Sequence, residues 1–306
     1  MQYTGKGNKF LWYVVLPLLL FLFLVFRGLD SMIFSTKNQV AVNKSHMNNI
    51  SLSQNLDCLV LGGSNAVFSL SAELLGKGIG AKCYNLSILG EGSSYKNYWN
   101  LVDNSLSNNQ KEKVKTIVYS SIDPLREGRI EKKKLVTYGI NGDKSFKLLG
   151  RSLASYFYSW LTKGSFKVNY PLPNKFGDFN FDLYECIPSP TLMNEFEREG
   201  NYNVLNEWII QQIFSIRYVF PNAKIYFSIP SEFYGMSFNQ SLFEESALVY
   251  ENSIESYKDT NQDNKVYLII EKPFSKESLM CDSGHHANHS GRTDRTSRLV
   301  KEINIK

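Results

Sequence analysis

Three of the chain's four histidines fall in one stretch near the C-terminus, Asp282-Ser283-Gly284-His285-His286-Ala287-Asn288-His289-Ser290-Gly291. An imidazole works as a general base when an acceptor fixes one ring nitrogen and the other faces a nucleophile, and Asp282 stands where such an acceptor is needed. The matching hydroxyl lies far upstream, at Ser64 in Gly62-Gly63-Ser64-Asn65-Ala66. Cys58-Leu59-Val60-Leu61 before it reads as a buried strand, and Val67 to Leu75 after it as a helix. A strand, a tight glycine turn and a helix push the serine above the C-terminal edge of a sheet, where ligands gather in open α/β folds. Locally an ordinary glycine-rich β–α turn explains the motif equally well. It is not a GxSxG elbow, because Ala66 occupies the last glycine position.

The elements that must carry these residues follow a βα rhythm. Residues 81–86 form a second strand, followed by the glycine-bearing turn 87–94 and a helix to about Leu106. Residues 115–120 form a third strand. Val204 to Phe220 repeats apolar residues at helical spacing, 224–229 is a strand, and 240–258 a helix. Residues 266–270 make the fifth strand, and 290–303 the closing helix. This order predicts a three-layer α/β/α sandwich with a five-stranded parallel sheet. From about 126 to 202 the rhythm is lost in an aromatic, Pro/Asn/Gly-rich insertion, a lid or substrate-shaping segment by its length.

Phe10 to Phe26 is apolar throughout. As a helix it rises about 25 Å, enough to cross the hydrocarbon core of a bilayer. Lys6 and Lys9 precede the run and Arg27 follows it, and the residues after it are too bulky for a signal-peptidase site. The expected organisation is therefore a cytoplasmic N-terminus (1–9), a transmembrane anchor (10–27), a loosely packed polar stem (28–54) and an exported domain (55–306). His46, alone in the stem, reads as a solvated residue. A net charge of +5 with no basic arm or zinc-finger spacing argues against nucleic acid. The four cysteines form no CxxC metal motif; Cys58 and Cys83, on neighbouring strands, either pair or remain buried thiols. The sequons at Asn85 and Asn288 fall inside the candidate site turns and read as coincidences of composition.

Over residues 56 to 306 the chain resembles the SGNH (GDSL-like) hydrolase superfamily. Leu61-Gly62-Gly63-Ser64-Asn65-Ala66 is similar to its first block, which carries the nucleophile. Asn85-Leu86-Ser87-Ile88-Leu89-Gly90 is similar to the second, which makes Gly90 an oxyanion donor beside the Ser64 amide. Asp282 with His286-Ala287-Asn288-His289-Ser290-Gly291 is similar to the last. The family's Asp-x-x-His spacing selects His285 as the alternative base, but the downstream Asn and Gly register with His286. The third block's Gly-x-Asn-Asp is replaced by Ser120-Ser121-Ile122-Asp123, so an oxyanion Asn is missing. The continuation Arg292-Thr293-Asp294-Arg295-Thr296 is similar to membrane-anchored bacterial members of cell-surface polysaccharide systems.

The resemblance implies Ser-His-Asp acyl transfer through Ser64, His286 and Asp282, with no cofactor and no metal. It points to an O-acetyltransferase or esterase working on O-acyl groups of cell-surface polysaccharide, beside a multipass membrane acyltransferase. The location implied is the bacterial inner membrane, single-pass, with the domain in the periplasm or extracytoplasmic space. The missing Asn keeps a second reading open, a non-catalytic scaffold in a polysaccharide-modification complex. A metal site at His285 and His289 with Asp282 lacks the HExxH glutamate and falls in a loop. Arg292, Arg295 and Arg298, three apart on the last helix, read as a solvated face, with an anionic glycan or lipid head group as the alternative use.

Overall fold

The computed structural model describes residues 13, 15–21, 39–53, 55–89, 96–121, 172–180, 202–229, 240–271, 279–281 and 286–306. In chain order these give α1 (Gln39–Leu52), β1 (Cys58–Gly62), α2 (Ser64–Ser69), α3 (Ala72–Ile79), β2 (Cys83–Asn85), α4 (Lys96–Ser105), α5 (Asn108–Lys113) and β3 (Thr116–Ser120). They continue with α6 (Tyr202–Val219), β4 (Lys224–Ile229), α7 (Gln240–Asn261), β5 (Val266–Ile270) and α8 (His289–Ile305). The five strands form one sheet in the order β2-β1-β3-β4-β5, every neighbouring pair parallel.

Alternation along each strand divides the core in two. Leu59, Leu61, Ile117, Tyr119, Ile225 and Phe227 pack with residues of α1, α4, α6 and α7. Their neighbours Cys58, Val60, Val118 and Tyr226 pack with α2, α3 and α8. Successive side chains of a strand point to opposite faces, so these clusters mark helices on both sides of the sheet. The result is an α/β/α layering. The order in which successive strands are added across the sheet reverses after β2, which puts a topological switch point between β1 and β3, where ligands bind in sheets of this order.

Several expectations change here. Residues 39–52 are not a loose stem. They form α1, which buries Met47 and Ile50 in the larger core cluster. His46 is 0% exposed rather than solvated, with its Nδ1 2.9 Å from the Asn85 carbonyl and its own carbonyl accepting from the Tyr84 hydroxyl at 3.0 Å. Burial holds the His46 imidazole down at about 4, against a smaller upward pull from the Asn85 carbonyl. The helix expected after Ser64 is two short helices separated at Leu70–Ser71. α5 was not expected, although Ser107 and Gln110 form its capping box.

The anchor expected at 10–27 lies mostly outside the described residues. Within it, residues 16–21 are helical and expose Leu18, Leu19, Leu20 and Phe21. Among the described residues no helix is long and apolar enough to cross a membrane. Of the expected insertion only 172–180 is described, and it buries Asp178 and Phe179 against the domain.

Candidate active site

β1 ends at Gly62, whose φ of +152° suits glycine, and a Cβ there would lie 1.8 Å from the Ser120 carbonyl oxygen. This close approach brings the end of β1 against β3 and lets the chain turn sharply into α2. Gly63 is the N-cap and Ser64 the first residue of α2, half-buried at the carboxyl edge of the sheet. The first N–H groups of a helix have no intrahelical acceptor, and the Ser64 amide is one of them.

A six-residue helix has little stability of its own, so α2 depends on tertiary pins. The Asn85 side-chain amide donates to the carbonyl of Leu70 at 3.2 Å and, more weakly, to that of Ala66 at 3.5 Å. Asn65 is fully buried and donates through Nδ2 to Ser120 Oγ at 3.0 Å. The loop after β2 is pinned in turn, with the Ile88 N–H on the Gly62 carbonyl at 3.1 Å. Leu89 is held by Asn43 of α1, which accepts from its N–H at 2.9 Å and donates to its carbonyl at 3.0 Å.

His286 arrives from the other end of the chain. Met280 and Ala287 form an antiparallel bridge, and the Cys281 N–H donates to the His286 carbonyl at 2.7 Å. Asn288 caps α8 by accepting from the Gly291 N–H at 3.0 Å, while its amide donates to the Met280 carbonyl at 3.2 Å. A Cβ on Gly291 would meet the Leu279 carbonyl oxygen at 2.2 Å, so this turn closes only around glycine.

So held, His286 Nε2 lies 3.0 Å from Ser64 Oγ, across 222 residues of sequence. The imidazole stacks on Phe68 of α2 with centroids 4.2 Å apart and planes 15° apart. Phe179 of the 172–180 segment braces Phe68 from 4.7 Å, within an apolar cluster that includes Val67, Leu89 and Cys281. Asp178 fastens the same segment by accepting from the Ser71 hydroxyl at 2.8 Å and from the Ala72 and Glu73 N–H groups at 2.6 and 3.0 Å. Burial pushes the Asp178 carboxyl up, opposed by those donors and by the Arg292 charge.

The structure thus brings Ser64 and His286 together. Asp282, His285 and Gly90 lie outside the described residues, and among those described no cluster of three potential metal ligands occurs. Cys58 and Cys83 are joined in a disulfide between β1 and β2, and Cys281 is also disulfide-bonded. The solvated reading of the last helix is corrected. Arg292 is buried and donates to the Phe179 carbonyl at 2.6 Å, and Arg295 is 0% exposed. Arg298 pairs with Asp294 at 3.1 Å. The sequon asparagines are spent internally, Asn85 wholly buried and Asn288 as a helix cap. Phe68 and Phe179 are not singled out by the sequence, and Arg295 reads there as solvated; helical spacing places Phe68 one turn after Ser64, the signal that was available.

No protein-family model and no curated protein matches the chain. Among solved structures it is similar to an acetyl xylan esterase, Est2A, from the rumen bacterium Butyrivibrio proteoclasticus. That overlap has 14% identity and a TM-score of 0.39, and covers 81% of this chain and 63% of that one. A family two carbohydrate esterase from Clostridium thermocellum, in complex with cellohexaose, is similar at 10% identity and a TM-score of 0.42, covering 82% of this chain and 65% of the other. A putative platelet activating factor from Streptococcus pneumonia is similar at 13% identity and 0.44, covering 92% and 98%. The chain spans just under two thirds of the two esterases' length. Overlaps this shallow leave its activity to be argued from its own site.

Proposed function

We propose that the chain is a serine acyl-transfer enzyme acting on O-acyl, chiefly acetyl, groups of cell-surface polysaccharide, as an O-acetyltransferase or esterase. The observation that carries the chemistry is the 3.0 Å approach of His286 Nε2 to Ser64 Oγ at the carboxyl edge of the sheet. That is hydrogen-bond reach for a base and the proton it removes.

In this reading Ser64 Oγ attacks the acyl carbonyl carbon while His286 Nε2 takes the hydroxyl proton. Asp282 holds the other ring nitrogen in its protonated tautomer. The oxyanion that forms accepts from the amides of Ser64 and Gly90. As it collapses, the C–O bond to the sugar breaks, and the leaving alkoxide recovers the proton from His286. Water or a sugar hydroxyl, deprotonated by His286, then attacks the acyl-serine and releases Ser64. Water gives an esterase and a sugar hydroxyl a transferase. The glycan substrate is suggested by the apolar run at 10–26, which would hold an exported domain at the inner membrane, and by the aromatic insertion, which offers rings on which sugars stack. A multipass membrane acyltransferase is the proposed partner.

The test is hydrolysis of a chromogenic acetate ester, with and without an oligosaccharide acceptor, together with labelling by a fluorophosphonate probe. Ser64→Ala is expected to abolish labelling and lower kcat/KM by roughly 10⁴-fold or more. Full activity in that variant overturns the mechanism. An unaltered protein that neither labels nor hydrolyses, yet still binds glycan, supports the scaffold reading instead.

A further inference from the structure

Arg295 has no exposure to solvent and lies in a layer of polar side chains that the acyl-transfer chemistry does not use. Its Nε donates to Glu271 Oε2 at 2.9 Å and its Nη2 to Glu271 Oε1 at 3.1 Å, a fork-to-fork pair. Nη2 also donates to Ser120 Oγ at 2.9 Å and Ser228 Oγ at 2.8 Å, and Nη1 to Ser69 Oγ. One guanidinium therefore ties the ends of β3, β4 and α2 to the residue that follows β5. Such a buried ion pair is poor evidence of a stability role, because apolar residues of similar volume often serve as well or better.

Two of its contacts converge on one residue. Ser120 Oγ, held by Arg295, accepts from the Asn65 side-chain amide at 3.0 Å. Ser69 Oγ, also held by Arg295, donates to the Asn65 carbonyl. Asn65 is thus gripped at its side chain and its backbone, and it is covalently next to Ser64. Ser228 is bonded to Arg295 and Glu271 and has no bond to Asn65.

We infer that Arg295 is a positioning residue, which fixes Asn65 through Ser120 and Ser69 and thereby holds Ser64 Oγ in register with His286 Nε2. This rests on the reading of Ser64 as the nucleophile. α2 has only six residues, so its first residue takes its position from these pins rather than from helical cooperativity. A small displacement of a reacting atom is expensive in rate and cheap in stability.

Two hydroxyls on the same guanidinium supply the experiment, read on the full-length chain as kcat, KM, fluorophosphonate labelling rate and thermal midpoint. Ser120→Ala cuts the path to the Asn65 side chain, and Ser228→Ala cuts neither path to Asn65. Ser120→Ala is expected to lower kcat and the labelling rate roughly tenfold to a hundredfold, with KM within about twofold. Ser228→Ala is expected to leave kcat within about twofold while shifting the thermal midpoint by a similar few degrees. The pair Arg295→Met with Glu271→Leu removes the charges together; it is expected to keep the thermal midpoint while kcat falls as in Ser120→Ala. Equal rates in Ser120→Ala and Ser228→Ala, or a folded double variant with undiminished kcat, overturn the inference while leaving Ser64 as nucleophile. An unaltered protein that fails to label at Ser64 removes the proposed function, and this inference with it.

Discussion

On the face of the sheet covered by α1, α4, α6 and α7, the strands present Leu59, Leu61, Ile117, Tyr119, Ile225 and Phe227 to a large aromatic and aliphatic core. Its buried polar groups include Gln212, which accepts from the Trp99 indole at 2.8 Å. The opposite face, under α2, α3 and α8, has a smaller apolar cluster, a disulfide, and at its carboxyl edge the layer of Arg295, Glu271, Ser69, Ser120 and Ser228. One face is built from non-directional contacts, which tolerate small shifts. The other is built from directional hydrogen bonds, which do not, and two of them end on Asn65, the neighbour of Ser64. Damage to the first face should therefore appear as lost stability, and damage to those bonds of the second that reach Asn65 as lost rate.

The largest effect that tests this division comes from Phe227, which adjoins Ser228 on β4 but points to the opposite side. Phe227 is buried against Tyr119, ring centroids 5.2 Å apart, and against Tyr250. Phe227→Ala is expected to cost about 3–5 kcal/mol in chemical unfolding. Below the unfolding transition, kcat on an acetate ester should stay within about twofold of the unaltered chain, since no directional contact to the site is cut. A large fall in kcat of the folded variant would mean that the two faces are mechanically coupled and that the division is false.

Much of this arrangement is legible in the sequence, for a physical reason. Parallel strands buried on both faces must be short apolar runs, so residues 58–61, 115–120, 224–229 and 266–270 stand out. In a parallel sheet the turn after β1 and the loop after β5 reach the same edge, so Ser64 and His286 can be paired without knowing the strand order. What stays hidden is burial that depends on a distant partner. Arginines three apart look like a solvated helix face, and only Glu271 and the serines of other elements make the depth of Arg295 tolerable. α1 is hidden for a related reason. Its docking uses Asn43 on the Leu89 backbone and His46 on the Asn85 carbonyl, so its polar composition conceals a packed helix.

His46 offers the next, smaller effect, a polar group seated beside the apolar face. Its folded value of about 4 lies below the 6.5 of an exposed imidazole, so the unfolded chain binds the proton first as pH falls. Stability from this group is complete above about pH 6.5 and is lost as pH drops towards 4, by on the order of 2 kcal/mol at pH 5. In His46→Gln the side-chain amide can still donate to the Asn85 carbonyl and does not titrate. Urea unfolding at pH 7 and pH 5 should show a smaller loss in His46→Gln than in the unaltered chain, by about that amount. Equal losses would mean that His46 is not sealed in the folded state.

The smallest effect sits where the faces differ most, at the ring that touches the base. Phe68 has two tasks at once, filling the cluster with Phe179 and lying flat against the His286 imidazole. Phe68→Leu preserves most of the buried volume, so its cost in unfolding should stay below about 1.5 kcal/mol. It removes the flat surface that keeps the imidazole from rotating about its own bonds. Rotation away from Ser64 lowers the fraction of molecules poised for proton transfer without touching the substrate's own contacts. The expected result is a fall in kcat of roughly threefold to tenfold at unchanged KM, with fluorophosphonate labelling slowed in proportion. Phe179→Leu, one ring further from the base, should lower kcat less than Phe68→Leu at comparable cost in stability. If the two variants lower kcat equally, the aromatic pair acts as ordinary core, and other contacts, the backbone bond from Cys281 to His286 among them, hold the base.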